Sequence, residues 1–502
     1  MPVSACGTVI VSTIMDEYNF TGNQGSSMSQ PVAEYSVPEP VAAPRAAPVR
    51  RYSLALSERR MLLAGMDVVV LALLAKLVVQ QEPGNGSWRL LAISVAGAWF
   101  IAGQSTSMYD LHTVARLRPC LRAIAQTATM VVVFLMLLFF TKPYFMSRPQ
   151  LVDLAIGGPA VITLWRLAYL RFLGSAHFMR RVLVLGAGSS GRSLLEAVHR
   201  SQGHGVSVVG ILDDDPSLHG MRIDDVPVLG GSARIWQIVS SLGVEEVVLA
   251  VSQPTNEALF EGLATCYERG IVVTLMPHLY EEVARQVPVE YMGRHWLGAV
   301  PLSRAGGGIY EALKRLVDVV VASLGVLLTS PILAIVALVV RLSSPGPILF
   351  RQTRVGHHGE EFEIIKFRTM WIDAERPGEV RWATRDDPRA TTAGKWLRRT
   401  HLDELPQLVL VLTGRMSLVG PRPERPEFVR DLEQQIALYA ARYSVRPGMT
   451  GWAQIQCPYG SSTTDALAKL RYDLYYVKHR SLLLDVCIIA RTLTRVFGMR
   501  GR

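Results

Sequence analysis

Charged residues and cysteines are both scarce in this chain of 502 residues. Asp, Glu, Lys and Arg make up only 19% of the residues, whereas hydrophobic residues make up 49%. That balance indicates that part of the chain faces lipid. The cysteines are scattered and contain no C-x-x-C pair, which argues against a disulfide framework or a zinc site and fits a reducing compartment. They are Cys6, Cys120, Cys266, Cys457 and Cys487.

The first residues lack the pattern of a secretion signal. Residues 1–57 are rich in Pro, Ala, Ser and Val, and no basic segment is followed there by an apolar stretch and a cleavage site. We therefore expect a disordered cytoplasmic tail over 1–57.

The length of the whole chain predicts about three modules. The net charge of +10 suits anionic headgroups, phosphorylated substrates or nucleic acid equally well.

Four apolar stretches follow the tail, near 61–80, 88–103, 124–140 and 151–173. Each is close to the length that crosses about 30 Å of hydrocarbon, so they predict four transmembrane helices within 58–175. Arginines precede the first stretch, separate the second from the third and follow the fourth. By the positive-inside rule, both ends of this region face the cytoplasm. Four such stretches in series disfavour buried helices of a soluble core.

Residues 176–300 change to an alternation of strands and helices. Strands are predicted at 181–185, 206–212, 246–250 and 271–276. The first runs into a G-x-G-x-x-G loop and the second ends in acids, which is typical of a Rossmann-like domain. The loop glycines are Gly186, Gly188 and Gly191, and the acids are Asp213, Asp214 and Asp215. The loop either binds a nucleotide or only joins strand to helix, because such folds host many roles.

The segment 312–341 is a further apolar run, interrupted halfway by Ser330-Pro331. Proline removes a backbone donor, so the pair predicts a break in the helix. Basic residues flank both ends, with Lys314 on one side and Arg341 on the other. This symmetry favours a re-entrant helix–break–helix that enters one leaflet, with a kinked spanning helix as the alternative.

Two strands are predicted next, at 348–354 and 361–370, joined by a glycine-bounded turn that holds His357 and His358. Adjacent histidines suggest a metal site, but in such a turn they are more often solvated. Lys366 and Arg368 lie on one face of the second strand, at a spacing of two residues.

The stretch RRTHLDELPQ at 398–407 combines arginines, adjacent carboxylates and a proline. Pro406 is tolerated in a first helical turn, so a helix should begin near Asp403 and carry Leu408, Val409 and Leu412 on its apolar side. A helix start favours phosphate, and one carboxylate can attack phosphorus while its neighbour holds a divalent cation. The alternative is that both acids only cap the helix.

Several longer stretches have the order found in one family. They are IIKFRTM at 364–370, THLDELPQ at 400–407, MSLVGPRP at 416–423, RPGMTGWAQ at 446–454 and YDLYYVKHRSLLLD at 472–485. Through these stretches and Ser330-Pro331, the segment 311–502 resembles the bacterial sugar transferases, which are polyprenyl-phosphate hexose-1-phosphate transferases. The front half resembles the longer members of that family. PYG at 458–460 with the following SSTTDA resembles an exopolysaccharide branch.

The resemblance implies a multi-pass protein of the bacterial inner membrane. Its fold would be an α-helical transmembrane bundle, a Rossmann-like α/β domain, and a cytoplasmic α/β catalytic domain at 301–502 with a re-entrant membrane helix. It implies transfer of hexose-1-phosphate from a UDP-hexose, glucose or galactose, to undecaprenyl phosphate, with release of UMP. Nucleic acid is not an expected partner, and the longer members suggest a homodimer.

The resemblance also assigns roles to residues. Asp403 would be the nucleophile that forms a phosphosugar–aspartate, and Glu404 would bind Mg²⁺. Arg398 would bind the donor phosphates, and Arg422 the uridine diphosphate portion. Lys366 and Arg368 are further candidate substrate-binding residues, and Ser330 and Pro331 would shape the membrane hairpin. Arg415 departs from the family, in which an acid is usual.

Two other functions stay open. Tyr310-x-x-x-Lys314 has the spacing of the catalytic pair in NAD-dependent nucleotide-sugar epimerases and dehydratases, although Lys314 lies at the entry to the apolar run. A non-catalytic export scaffold would require Asp403 and Glu404 to be capping residues only.

Overall fold

The structure is a computed structural model that describes most of the chain. The described residues are 56–80, 88–114, 116–142, 146–172, 179–201, 205–251, 257–291, 308–374, 387–457 and 462–497. The predicted disordered tail lies outside them as far as residue 55.

Four apolar helices form the front of the described chain, as predicted. They are α1 (Leu56–Gln80), α2 (Trp88–Ser105), α3 (Leu117–Thr141) and α4 (Arg148–Phe172). In the described part of the chain, α1, α3, α4 and one later helix are long and apolar enough to cross a membrane, and α2 is not among them. Asp67 of α1 and Arg166 of α4 form a 2.7 Å ion pair, with both side chains 1% exposed. Such a pair fixes how the two helices face each other, since either charge alone would be costly to bury.

A Rossmann-like sheet follows, with strand order β3-β4-β2-β1-β5-β6. The strands are β1 (Arg180–Leu185), β2 (Val206–Leu212), β3 (Arg222–Ile223), β4 (Val226–Gly230), β5 (Glu246–Leu249) and β6 (Val272–Leu275). The helices are α5 (Ser189–Arg200), α6 (Ile235–Leu242), α7 (Glu257–Glu268) and α8 (Met276–Ala284). The four predicted strands are confirmed and pair in parallel, and the short hairpin of β3 and β4 was not predicted.

The glycine loop after β1 is held by a carboxylate of the protein itself. Gly186 has φ +106°, and a Cβ at Gly191 would lie 2.0 Å from the Gly186 carbonyl oxygen, so both positions require glycine. The Ala187 amide donates to Asp213 at 2.6 Å. Asp214 likewise accepts from the Ser232 amide at 2.7 Å. These contacts favour a loop that joins strand to helix, and nucleotide binding at Gly186, Gly188 and Gly191 stays a prediction.

A single helix, α9 (Gly308–Ser343), replaces the two helices predicted around Ser330-Pro331. Pro331 has no N–H to donate to the carbonyl of Leu327, one turn earlier. The Ser330 hydroxyl donates to that same carbonyl at 2.9 Å. The serine therefore supplies a donor to the carbonyl that the proline leaves without one, and the helix continues through the pair.

One face of α9 packs on the α/β domain that follows it, both near the start of the helix and near its end. Near its start, Arg315 donates to the carbonyls of Val411 and Leu412 at 2.6 and 2.7 Å. Near its end, Val336 and Val340 pack with Phe367 and Leu397. The opposite face exposes apolar side chains: Leu324, Leu328, Ile332, Ile335 and Leu342. A helix that crossed the bilayer would carry the domain's polar groups into lipid, so this packing favours a helix that stays in one leaflet.

Cysteine labelling tests that topology. Ile309, in the first turn of α9, and Pro347, shortly after its end, are both exposed. In a background with the native cysteines replaced by serine, Ile309→Cys and Pro347→Cys should both react with an impermeant maleimide only from the cytoplasmic side. Asn85→Cys, between the first two helices, should react from the opposite side and serves as the control. Labelling of one α9 flank from that opposite side would show that the helix spans.

The α/β domain that follows α9 begins with an antiparallel hairpin of β7 (Leu349–Val355) and β8 (Glu361–Phe367), as predicted. A second pair, β9 (Ser417–Val419) and β10 (Gly448–Thr450), is parallel. The helices are α10 (Thr392–Thr400), α11 (Leu408–Leu412), α12 (Pro426–Gln435), α13 (Trp452–Gln456), α14 (Thr463–His479) and α15 (Leu482–Phe497). Buried Val411, Met416, Trp452, Tyr476 and Ile488 belong to one core between them.

Candidate active site

Asp403 lies in a tight turn between α10 and α11. His401 ends α10 in the left-handed conformation, with φ 57°, and residues Leu402–Gln407 form a 3₁₀-helix. The predicted helix start near Asp403 is therefore confirmed in position, but the first turns are 3₁₀ and the α-helix begins only at Leu408. Val409 is 48% exposed and does not share the buried side of Leu408. His401, not Asp403, holds the position before the turn, so a capping role for Asp403 has no support here.

The Asp403 carboxylate is buried but not hydrogen bonded. The residue is 7% exposed, and none of the hydrogen bonds or ion pairs found among the described residues involves its side chain. Burial, and then the charge of Glu404, raises its pKa to about 6, while Lys366, Arg398 and Arg422 oppose that rise. We refer to these five residues as the active-site cluster. A buried carboxylate among cations that keep it partly ionised has the character of a nucleophile.

Glu404 is the centre of the polar contacts in the cluster. Its Oε1 lies 3.1 Å from Nζ of Lys366 and 2.5 Å from Nη2 of Arg422. Nη1 of Arg422 also donates to Oε2 at 3.3 Å. Burial lowers the pKa of Lys366 to about 8, although the charge of Glu404 opposes this. The structure thus brings together a residue of β8, the turn after α10 and the loop after β9.

Arg368 lies outside the active-site cluster. Its guanidinium is buried and donates to the carbonyls of Ser344 and Pro345 at 2.7 and 2.6 Å. These contacts fix the chain where it leaves α9, and a role of Arg368 in substrate binding stays a prediction. The rings of His357 and His358 lie 3.8 Å apart in the hairpin turn. Across the described ranges, no group of three or more His, Cys, Asp or Glu residues is placed to hold a metal.

A buried ion pair next to the cluster was not predicted. Arg442 and Asp473 lie 2.7 Å apart, with side chains 4% and 2% exposed. Nη2 of Arg442 also donates to the carbonyl of Arg422 at 2.9 Å. Arg442 lies between the matched motifs in the sequence and Asp473 within one, with no spacing that would pair them.

Tyr310 and Lys314 have a structural partner. Both donate to the same oxygen of Asp485, each at 3.1 Å, and Tyr476 donates to its other oxygen at 2.8 Å. The pair therefore ties α9 to α15. This contact disfavours the epimerase hypothesis, which needs both side chains beside a nicotinamide.

The fold is that of a membrane-associated protein. The active-site cluster places a buried carboxylate among cationic side chains of the kind that bind phosphate. The bacterial sugar transferase family matches residues 309–499, and a CoA-binding domain family matches residues 104–277. This chain belongs to the bacterial sugar transferase family.

Named relatives agree with that membership. The chain is 36% identical over 323 residues to a UDP-glucose:undecaprenyl-phosphate glucose-1-phosphate transferase of Escherichia coli (strain K12), covering 63% of this chain and 68% of the relative. It is 38% identical over 241 residues to a UDP-N-acetylgalactosamine-undecaprenyl-phosphate N-acetylgalactosaminephosphotransferase of Aeromonas hydrophila, covering 47% and 56%. An undecaprenyl-phosphate glucose phosphotransferase of Komagataeibacter xylinus is 29% identical over 453 residues, covering 83% and 79%.

Proposed function

We propose that this protein transfers hexose-1-phosphate from UDP-glucose or UDP-galactose to undecaprenyl phosphate in the bacterial inner membrane, as the first step of exopolysaccharide synthesis. The observation that carries the proposal is the buried carboxylate of Asp403, which has no hydrogen bond among the described residues and is surrounded by Lys366, Arg398 and Arg422. Family membership and the names of the relatives support the reaction class.

The reaction we propose has two displacements at one phosphorus atom. An oxygen of Asp403 attacks the phosphorus that bears the sugar, and the bond from that phosphorus to UMP breaks. UMP leaves with the bonding electron pair. An oxygen of undecaprenyl phosphate then attacks the same phosphorus, and the Asp403 carboxylate leaves. Lys366, Arg398 and Arg422 offset the negative charge that otherwise repels a carboxylate from a pyrophosphate.

The cluster also fits a magnesium ion whose coordination shell is completed by the phosphates of the UDP-sugar donor. Mg²⁺ commonly takes one or two carboxylates together with phosphate oxygens and waters. Glu404 offers such an oxygen ligand next to Asp403, and its present partners are the cations Lys366 and Arg422. A bound Mg²⁺ would supply further positive charge at the pyrophosphate. Glu404 would hold it, while Arg422 would remain available to the uridine diphosphate portion.

The position of the cluster suits a lipid acceptor. Residues Leu402–Gln407 and α11 pack against α9, whose opposite face exposes apolar side chains. A polyprenyl chain in the membrane can therefore present its phosphate to a domain that carries its own membrane helix. We place the catalytic domain on the cytoplasmic side, because both ends of α9 carry basic residues.

Transfer of label tests the proposal directly. Purified protein in detergent or nanodiscs would be given undecaprenyl phosphate, Mg²⁺ and UDP-sugars labelled in the sugar. UDP-glucose or UDP-galactose should yield a labelled lipid and an equal amount of UMP. UDP-N-acetylgalactosamine belongs in the panel because one relative carries that name. No labelled lipid with any UDP-sugar would refute the enzyme function and favour the scaffold.

The turnover rate should fall on both the acidic and the alkaline side of a pH optimum. Asp403 must be ionised to attack, so turnover should fall as pH drops through about 6, the raised pKa of that carboxyl. Lys366 must be protonated to offset charge, so turnover should also fall as pH rises through about 8, the lowered pKa of that amine. Lys366→Arg should remove the alkaline limb, because arginine stays protonated. An alkaline limb that persists in Lys366→Arg would assign it to another group.

A further inference from the structure

Helix α14 (Thr463–His479) contacts the Rossmann-like domain with one face. Its residues Arg471, Tyr472, Lys478 and His479 lie at spacings that place them together on a helix. They contact residues 281–290, which we call the docking segment. Gln286 donates to the Tyr472 hydroxyl at 2.6 Å. Arg471 pairs with Glu290, and its carbonyl accepts from the Val287 amide at 2.9 Å.

The most buried contact of this interface is ionic. Glu281 is buried, and its carboxylate lies 2.8 Å from Nζ of Lys478 and 3.0 Å from Nε2 of His479. An acid buried at a domain interface is costly unless it is paired, so Glu281 specifies how α14 docks. The YDLYYVKH portion of the family motif thus includes residues that touch a different domain.

The other face of α14 holds the loop that carries Arg422. Asp473 pairs with Arg442, and Arg442 donates to the Arg422 carbonyl at 2.9 Å. One turn further on, the Tyr476 hydroxyl donates to Asp485, and its oxygen lies 3.2 Å from the carbonyl oxygen of Val419. The Arg442 hydrogen bond thus holds the backbone at Arg422, Tyr476 packs against it at Val419, and the side chain of Arg422 reaches Glu404.

We propose that docking of the Rossmann-like domain on α14 positions Arg422 for the donor nucleotide. The inference rests on the proposed function, because it assigns the donor to Arg422. Glu281, Asp473 and Arg442 are positioning residues that do not touch the substrate. The Rossmann-like domain then acts on the active site as a mechanical support: a change in its docking moves α14, and α14 moves the Val419–Pro423 loop.

Two isosteric variants separate positioning from general stability. Glu281→Gln removes the charge that pairs with Lys478 and His479, whereas Glu261→Gln makes the same change at an exposed residue of α7. Glu281→Gln should raise KM for the UDP-sugar about fivefold or more, the usual scale of coupling between sites. KM for undecaprenyl phosphate should stay near wild type, whereas the melting temperature should fall because Lys478 loses its buried acid. Glu261→Gln should change none of these values.

Asp473→Asn breaks the same connection on the opposite face of α14. Its effect on KM for the UDP-sugar should combine with that of Glu281→Gln less than additively, because both act through one helix. Additive effects, or an unchanged KM in folded Glu281→Gln, would overturn the proposal. Tyr472→Phe removes only the hydrogen bond from Gln286 and should shift the same KM in the same direction. It serves as the test if Glu281→Gln does not fold.

Hydrogen exchange gives a readout that does not depend on transferase activity. Amides of the segment 417–423 should exchange faster in Glu281→Gln than in wild type, and Glu261→Gln should match wild type. Faster exchange in a protein without transferase activity would uphold the mechanical connection while the proposed function fails. Unchanged exchange in this segment would refute the connection even if wild type is an active transferase.

Discussion

Asp403→Asn should lower turnover by about 10³-fold or more, the scale at which loss of a nucleophile acts. The substitution keeps the shape of the side chain but removes the negative oxygen that we propose attacks phosphorus. It should not lower stability, because the raised pKa of Asp403 shows that its charge is unfavourable in the folded protein above about pH 6. Turnover and the melting temperature, measured together at pH 7, check both statements.

The capping hypothesis predicts the reverse pattern. Asparagine is a good capping residue, so turnover would be nearly unchanged, and stability would shift by at most about 1 kcal/mol. Asp431→Asn, in α12, is a matched control at a solvent-exposed acid of the same domain. A folded Asp403→Asn protein with near-normal turnover would leave the family membership intact and the mechanism wrong.

Glu404→Gln should lower turnover on the order of 10²-fold, because it weakens both the proposed magnesium site and the ion pairs with Lys366 and Arg422. Higher magnesium should recover part of the loss, since an amide oxygen is a weaker ligand for a hard cation. The charge of Glu404 also raises the pKa of Asp403. The acidic limb of the pH profile should therefore move to lower pH in the variant.

Glu427→Gln provides the control for this second prediction. Glu427 is an exposed acid that pairs with Arg425, so it resembles Glu404 in chemistry but lies outside the active-site cluster. It should leave turnover, the magnesium requirement and the pH profile unchanged. An acidic limb that stays in place in Glu404→Gln would show that Asp403 is not the group that titrates there.

The sequence predicted the parts of the fold that depend on local pattern. Apolar length identified α1 to α4, and short apolar runs alternating with helical segments identified β1, β2, β5 and β6. The hairpin of β3 and β4 was missed because β3 has only two residues, too few to show a period. The continuity of α9 was missed because a proline usually breaks a helix, and the bond from the Ser330 hydroxyl to the carbonyl that Pro331 leaves free has no signal in the sequence pattern.

The active-site cluster was predicted more completely than its surroundings. Asp403, Glu404 and Arg398 are close in sequence, and Lys366 and Arg422 lie in motifs that the family resemblance brought together. The structure places them around one carboxylate, and their roles stay a prediction. Arg368 was grouped with Lys366 by spacing, yet β8 ends at Phe367 and Arg368 turns towards the exit of α9. The Arg442–Asp473 pair depends on tertiary packing between distant segments and leaves no local signal.

The covalent step is the central claim, and acceptor-free turnover tests it most directly. Wild-type protein with labelled UDP-sugar and Mg²⁺, but without undecaprenyl phosphate, should release one UMP per active site and retain the labelled sugar phosphate. Mass spectrometry of its peptides should place that adduct on Asp403, and added undecaprenyl phosphate should then remove it as labelled lipid. Asp403→Asn should show neither the UMP burst nor the adduct. UMP release only after the acceptor is added, with no labelled protein at any time, would contradict the account.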